Sequence, residues 1–369
     1  MRDGPFLEAV GYLGPALLGM LVAFEKIQRE LHPPRLPALR ESAAPARDRL
    51  AEALSRASAQ TYSAELEGIA VALMKAAGHA LRAAELFLGE AEAEGEARGP
   101  EAGVASLMQA MREHSRAQAA LYPLCPVAPA FARYFLEPGA EARFQVLKGL
   151  AASPGRTGVF NANNDPEARG GFSFFVPEDY DESRAWPLVV ALHGGFGHGG
   201  DFLWTWLREA RTRGWLLLAP TSRETTWSLM GSDFDGPALG SMLDYVEDRW
   251  NIDPGCRLLT GLSDGGTYAL LHGLAEGSRF TALAPLAGVL HPGNLANGNL
   301  ERAAGVRIRW VHGALDWMFP LAWAREGASA LKEAGAEVEL IELEDLSHAY
   351  PREQNGSILE WAAQAPMAS

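Results

Sequence analysis

The stretch Gly261-Leu262-Ser263-Asp264-Gly265-Gly266 sets a serine among glycines. That pattern suits a hydroxyl held at a sharp turn between a strand and a helix, where neighbours without side chains let the backbone bend. The flanks agree: a strand-like run at 256–260 precedes it, and Thr267-Tyr268-Ala269-Leu270-Leu271 follows with helical character. A serine hydroxyl is a weak nucleophile until a base takes its proton, and the base needs an acid to hold its ring. Downstream, Val311-His312-Gly313-Ala314-Leu315-Asp316 and Ser347-His348 supply both. Ser263, Asp316 and His348 then stand in the order nucleophile, acid, base, each in a loop expected after a strand. The chemistry open to such a set is acyl transfer, with His348 acting first as base and then as acid.

Other residues compete for these roles. His193 and His312 end strands directly before Gly and are expected to support loops, His272 lies well inside a helix, and His291 precedes a Pro-Gly turn. His198, in a glycine-rich loop, is the alternative base. Asp345 is the alternative acid, but at three residues from His348 it is badly placed to reach around the ring. Acyl transfer also needs N–H donors for the developing oxyanion. One is expected from Asp264, the residue after the nucleophile. The second is expected from His193-Gly194-Gly195-Phe196-Gly197-His198-Gly199-Gly200, with Gly195 favoured and Phe196 the alternative. A phosphate-cradling role for this loop is weak, because no G-K-[ST] follows it.

Stepping outward, the elements must bring these loops to one edge. After Gly170, strand-like runs fall at 171–176, 187–192, 215–219, 256–260, 281–287, 306–311 and 337–343. Helical patterns lie between most of them, at 201–213, 236–250, 265–276, 321–334 and 352–363. Strands alternating with helices predict an α/β domain with a mostly parallel, doubly wound sheet. Before about residue 135 the chain is rich in Ala, Leu and Glu, with helical stretches at 6–31, 38–58, 61–90 and 101–120. His32-Pro33-Pro34 and Gly95 to Pro100 interrupt them, and a Glu/Ala run spans Glu90 to Glu96. Leu66, Ile69, Ala70, Leu73 and Met74 share one helix face, as in a bundle. The expected domains are thus 1–135, all helical, and 136–369, catalytic.

The formal net charge is −14, and only 14 basic against 16 acidic residues lie up to Arg133, so nearly all of it belongs to the second part. Such a surface argues against nucleic acid as a partner and against anionic lipid. The apolar run from Ala9 to Phe24 is broken by glycines and Pro15 and ends at Glu25-Lys26, short of the ~20 residues of a membrane span. A buried helix, no stable membrane insertion and a cytoplasmic location are the expectations, the N-terminus having no basic leader and cleavage site. Cys125 and Cys256 lack C-x-x-C spacing and are expected as buried thiols. With no H-E-x-x-H and no clustered Asp/His, neither metal nor cofactor is expected. The helical segment carries no ligand-spaced cluster; its expected role is homo-oligomerisation or covering part of the catalytic domain.

From about Gly170 to Ala363 the sequence resembles the α/β-hydrolase superfamily. The likeness is nearest to the phospholipase/carboxylesterase, dienelactone-hydrolase and polyhydroxybutyrate-depolymerase-like esterases. It rests on L-H-G-G at 192–195, G-L-S-D-G-G at 261–266, H-G-x-x-D at 312–316 and S-H at 347–348. The Ser263 to Asp316 and Asp316 to His348 spacings suit compact esterases without a large cap insertion. The resemblance implies hydrolysis of small-molecule carboxylic esters without cofactor or metal. A polyester depolymerase or a peptidase would share the layout, and an idle binding protein on the same fold is disfavoured by the intact set. Residues 1 to about 150 depart from the compact pattern. Phe196, Trp204, Trp227, Trp317, Met318 and Tyr350 are expected near the catalytic edge, with Trp227 and Trp317 the strongest candidates for substrate-binding walls of an apolar cleft.

Overall fold

The computed structural model describes residues 4–93, 100–150, 152–153 and 155–364. The chain divides into two compact units, Met1–Gly149 and Leu150–Ser369. The end of the Glu90–Glu96 run and the break at 95–99 lie outside the described residues.

The first unit is helical: α1 (Gly4–Glu30), α2 (Leu36–Ser58), α3 (Glu67–Leu88), α4 (Pro100–Leu121), α5 (Pro129–Tyr134) and α6 (Glu141–Leu147). Apolar residues at helical spacing set the packing. In α3 the buried face runs Ala70, Leu73, Ala77, Ala80, Ala84 and Phe87, and its small side chains allow close helix approach. Phe24 of α1 lies edge-on to Phe87 at 6.1 Å and stacked on His114 at 4.9 Å. The α1 helix is longer than its apolar run suggests. It has 27 residues, and an 18-residue window within it has a mean hydropathy of 1.7, so it is long and apolar enough to cross a membrane by length and composition. That corrects the expected shortfall, although one face from Phe6 to Ile27 is buried as a bundle helix requires.

The last helix of this unit also shifts the expected boundary. Phe144 and Leu147 pack with Leu136, and the Arg133 guanidinium lies 3.8 Å over the Phe144 ring. These contacts tie 136–149 to the helical unit, so the division falls at 149/150.

The second unit holds one eight-stranded sheet: β1 (Gly158–Ala162), β2 (Phe172–Val176), β3 (Trp186–Leu192), β4 (Leu216–Pro220), β5 (Ile252–Leu262), β6 (Ala282–Leu286), β7 (Arg307–Gly313) and β8 (Glu337–Leu343). The order is β1-β2-β4-β3-β5-β6-β7-β8. Strand β2 runs antiparallel to β1 and β4, and the remaining pairs are parallel. Between and after them lie α7 (Gly199–Arg213), α8 (Asp235–Glu247), α9 (Asp264–Gly273), α10 (Gly293–Ala296), α11 (Leu321–Glu333) and α12 (Asn355–Ala363). Strands β4 and β6 are buried throughout, as central strands covered on both faces must be. The edge strand β8 instead leaves Glu337, Glu339 and Glu342 exposed, which protects it from pairing with another chain.

Candidate active site

Strand register decides which loops meet. Leu192 of β3 lies opposite Gly261 of β5, so the glycine loop after β3 emerges beside the serine turn after β5. Gly313 of β7 lies opposite Leu343 of β8. Beyond them the backbone pairing continues: Ala314 N–H donates to the Leu343 carbonyl and Leu315 N–H to that of Leu346, each at 2.9 Å. The loops carrying Asp316 and His348 are thereby laid side by side, at the carboxyl ends of the strands.

The serine turn is tight in a way only glycine permits. Ser263 sits at φ 57°, ψ −117°, a left-handed conformation costly for a residue with a side chain. Its N–H donates to the Leu286 carbonyl at 2.8 Å, and its carbonyl accepts from Thr267 N–H at 2.9 Å. A Cβ on Gly261 would fall 2.5 Å from the Gly265 backbone, and one on Gly265 would fall 2.4 Å from the Leu192 and His193 carbonyls. Both positions therefore exclude any side chain. Strand, strained serine and helix α9 follow one another as the sequence predicts.

Ser263, His348 and Asp316 are brought together. His348 Nε2 lies 2.9 Å from Ser263 Oγ, and His348 Nδ1 lies 2.8 Å from Asp316 Oδ2. A carboxylate only accepts, so Nδ1 carries the proton and Nε2 is free to accept from the serine. Asp316 is buried, and its second oxygen accepts from Met318 N–H at 3.0 Å and Phe319 N–H at 2.8 Å. The Phe319 ring stands edge-on to the His348 ring at 5.2 Å. His312 lies behind the acid, donating from Nε2 to the Phe319 carbonyl at 2.7 Å, and burial holds its pKa below the usual histidine range. Neither rival takes part. His198 caps α7 by accepting from Gly200 N–H at 3.0 Å. Asp345 is exposed, and it is Asp316 that His348 meets.

The glycine loop is held by His193, as expected from its place at the strand end, and by Arg169, which the sequence did not single out. His193 accepts from Ser222 N–H at 3.1 Å and lies 2.7 Å from the Gly194 carbonyl through its other nitrogen. Burial pushes its pKa down to about 3, so it stays neutral. Arg169 donates to the Gly197 carbonyl at 2.7 Å and also reaches Ser222 Oγ and the Glu224 carbonyl. The Phe196 N–H is already committed to the Thr225 carbonyl at 2.6 Å, which removes Phe196 as an oxyanion donor. The N–H groups of Gly195 and of Asp264, the latter at the start of α9, have no acceptor among the described residues. They flank Ser263 as an oxyanion pair would.

Trp227 also changes role. It is only 3% exposed, stacks on Tyr268, and donates from Nε1 to the His193 carbonyl at 2.7 Å. It braces the glycine loop from inside rather than forming a cleft wall. Trp204 is buried, and Tyr350 is tied through its hydroxyl to Asn355. Phe196, Trp317 and Met318 remain open to solvent, at 61%, 60% and 46% exposure. Phe196 holds a left-handed φ of 59°, unusual for an aromatic residue. Among the described residues, no three His, Cys, Asp or Glu side chains gather as metal ligands would, and Cys125 and Cys256 form no disulfide.

No family model matches the chain. A curated protein of Aspergillus terreus named "Probable feruloyl esterase C" is 27% identical over 153 residues, 40% of this chain, and the chain spans about half of that relative's length, 54%. Among solved structures, a thermostable esterase aligns with 56% of this chain and 59% of its own, at 23% identity and a TM-score of 0.42. The fluorophosphonate-binding serine hydrolase FphF of Staphylococcus aureus aligns with 57% of this chain and 100% of its own, at 15% identity and a TM-score of 0.46. An acetyl xylan esterase from Aspergillus awamori aligns at 14% identity and a TM-score of 0.46, over 55% of this chain and 98% of its own. With its mostly parallel eight-stranded sheet, its strained Ser263 between β5 and α9, and Asp316 and His348 after β7 and β8, the second unit has the α/β-hydrolase fold and is similar to esterases of that class.

Proposed function

We propose that the chain is a carboxylic ester hydrolase in which Ser263, His348 and Asp316 act as a triad. The observation that carries this reading is the hydrogen-bonded line from Asp316 through His348 to a strained Ser263, at 2.8 and 2.9 Å. His348, oriented by Asp316, takes the Ser263 proton as the oxygen attacks the ester carbonyl. The tetrahedral oxyanion rests on the N–H groups of Gly195 and Asp264, each such donor being worth about 3 kcal/mol. His348 Nε2 then protonates the leaving alcohol, and water repeats the cycle on the acyl-enzyme. Its substrates are neutral acyl or aryl esters, and the exposed Phe196, Trp317 and Met318 support an apolar contact near the cleft. The relative named as a feruloyl esterase makes aryl-acyl esters the first to test. A p-nitrophenyl ester series on the wild type and on Ser263→Ala checks the proposal. Turnover is expected in the first and none in the second; full turnover in the variant would overturn it.

A further inference from the structure

The residue after Ser263 brings more than its N–H to the site: Asp264 also carries a carboxyl side chain. Asp264 is half-buried, and its Oδ2 accepts from the Thr226 hydroxyl at 2.6 Å. The same oxygen lies against the other oxyanion donor: a Cβ placed on Gly195 would come within 2.7 Å of it and within 4.0 Å of Thr226 Oγ1. Gly194, Gly195, Thr226, Ser263, Asp264 and His348 are all partly open to solvent, so this carboxylate lies among the accessible residues around Ser263.

Nothing neutralises it. Among the described residues Asp264 has no Lys, Arg or His partner, and the single Thr226 hydroxyl leaves most of its acceptor capacity unused. A carboxylate beside a forming oxyanion works against catalysis by like-charge repulsion. That repulsion is offset where the substrate presents a positive charge or a hydrogen-bond donor to the carboxylate. The strongest partners for such a carboxylate are a cation or a hydroxyl or amine donor.

We propose that Asp264 is a specificity-determining residue, favouring among neutral esters those that carry a hydrogen-bond donor near the scissile carbonyl, accepting a positive charge there and rejecting anionic ones. This rests on the reading of Ser263 as nucleophile. Thr226 fixes the carboxylate's direction, and Gly195 leaves it room. Selection arises from repulsion of the wrong substrate as much as from attraction of the right one.

The test uses two series of p-nitrophenyl or thiocholine-type esters of matched length, one varying the acyl end and one the alcohol end. Each series contains a trimethylammonium, a methyl and a carboxylate member. Assays run at about 0.3 M salt, where steering by the acidic surface is screened beyond roughly 6 Å. The wild type is expected to prefer the cationic over the anionic member in at least one series. Asp264→Asn should lower that kcat/KM ratio about tenfold or more, and Asp264→Ser should do the same through a smaller side chain. A wild-type preference for anionic members in both series would overturn the proposal. So would ratios unchanged in both variants, or a loss shared equally by all members, which would mark Asp264 as only a latch on the glycine loop. Fluorophosphonate labelling of the wild type separates the two readings: absent labelling breaks the nucleophile assignment, whereas normal labelling with unchanged ratios breaks this one.

Discussion

The two units of this chain are stabilised by different means. The helical unit is packed from Ala, Leu and Phe at helical spacing, with Glu113, held by the half-buried His79 and Arg116, among its few described buried polar groups. The sheet unit buries many more, including His193, Glu209, Arg211, Asp235, His312 and Asp316. Among the described residues, all four non-glycine residues at positive φ also lie there: Asn163, Phe196, Ser263 and Ala287. The strained residues, which lower stability unless compensated, gather at the end of the sheet where the chemistry would occur, together with the buried His193, His312 and Asp316.

The largest expected effects separate chemistry from stability within the sheet unit. Ser263→Ala should lower kcat by roughly 10⁴-fold or more, and Asp316→Asn by about 10⁴-fold, since the wrong His348 tautomer is then favoured. Thermal unfolding of Ser263→Ala should stay close to the wild-type midpoint, because alanine keeps the Cβ and the backbone strain and loses only the half-buried hydroxyl's bond to His348. A variant that unfolds early would mean that the serine holds the turn together.

Acid should weaken the two units differently. The native His193 binds its proton only near pH 3, whereas an unfolded histidine does so near 6.5. Between those values the unfolded chain holds more protons, so this stability is complete above about pH 6.5 and drains as the pH falls toward 3. His272 and His312, lowered by burial, act in the same direction. In the helical unit, burial works to raise the Glu113 pKa, but hydrogen bonds from His79 and Arg116 hold it low. That contribution is lost only below the carboxylate range, near pH 4.5. All ten tryptophans lie in the sheet unit, so their fluorescence reports on it alone. The urea midpoint by fluorescence should fall between pH 7 and 5, and less steeply in His193→Gln; an unchanged wild-type midpoint would contradict the account.

Glycine gives opposite signs in the two regions. Gly265→Ala should cost about 3 kcal/mol and most of the activity, because its methyl meets the His193 and Leu192 carbonyls. Trp227→Phe should cost about 1–2 kcal/mol by orphaning the His193 carbonyl, with kcat falling as the glycine loop loosens. Gly78→Ala, inside α3 with nothing within 4 Å of the new methyl, should instead stabilise by about 0.5–1 kcal/mol. Chemical denaturation of the three variants checks all of these signs.

The order of elements was legible in the sequence because the apolar period changes from helical to strand-like after Gly170. Strand β1 was not: Gly158-Val159-Phe160-Asn161-Ala162 is short and half-exposed, and it forms by pairing with β2. The short helices α5 and α6 escaped for the same reason, being fixed by tertiary contacts. Ser263, Asp316 and His348 could be read because each of their loops follows a recognisable strand. Trp227 and Phe196 could not, since a buried ring's direction and the partner of one N–H depend on how the 222–228 loop folds back on the glycine loop.

The central claim is that Ser263 is the activated nucleophile. The most direct measurement is intact-mass and peptide analysis of the full chain after treatment with a fluorophosphonate. A single adduct on the Ser263 peptide, absent in Ser263→Ala and strongly slowed in His348→Ala, is the predicted result. No adduct, or one on another residue that persists in Ser263→Ala, would contradict it.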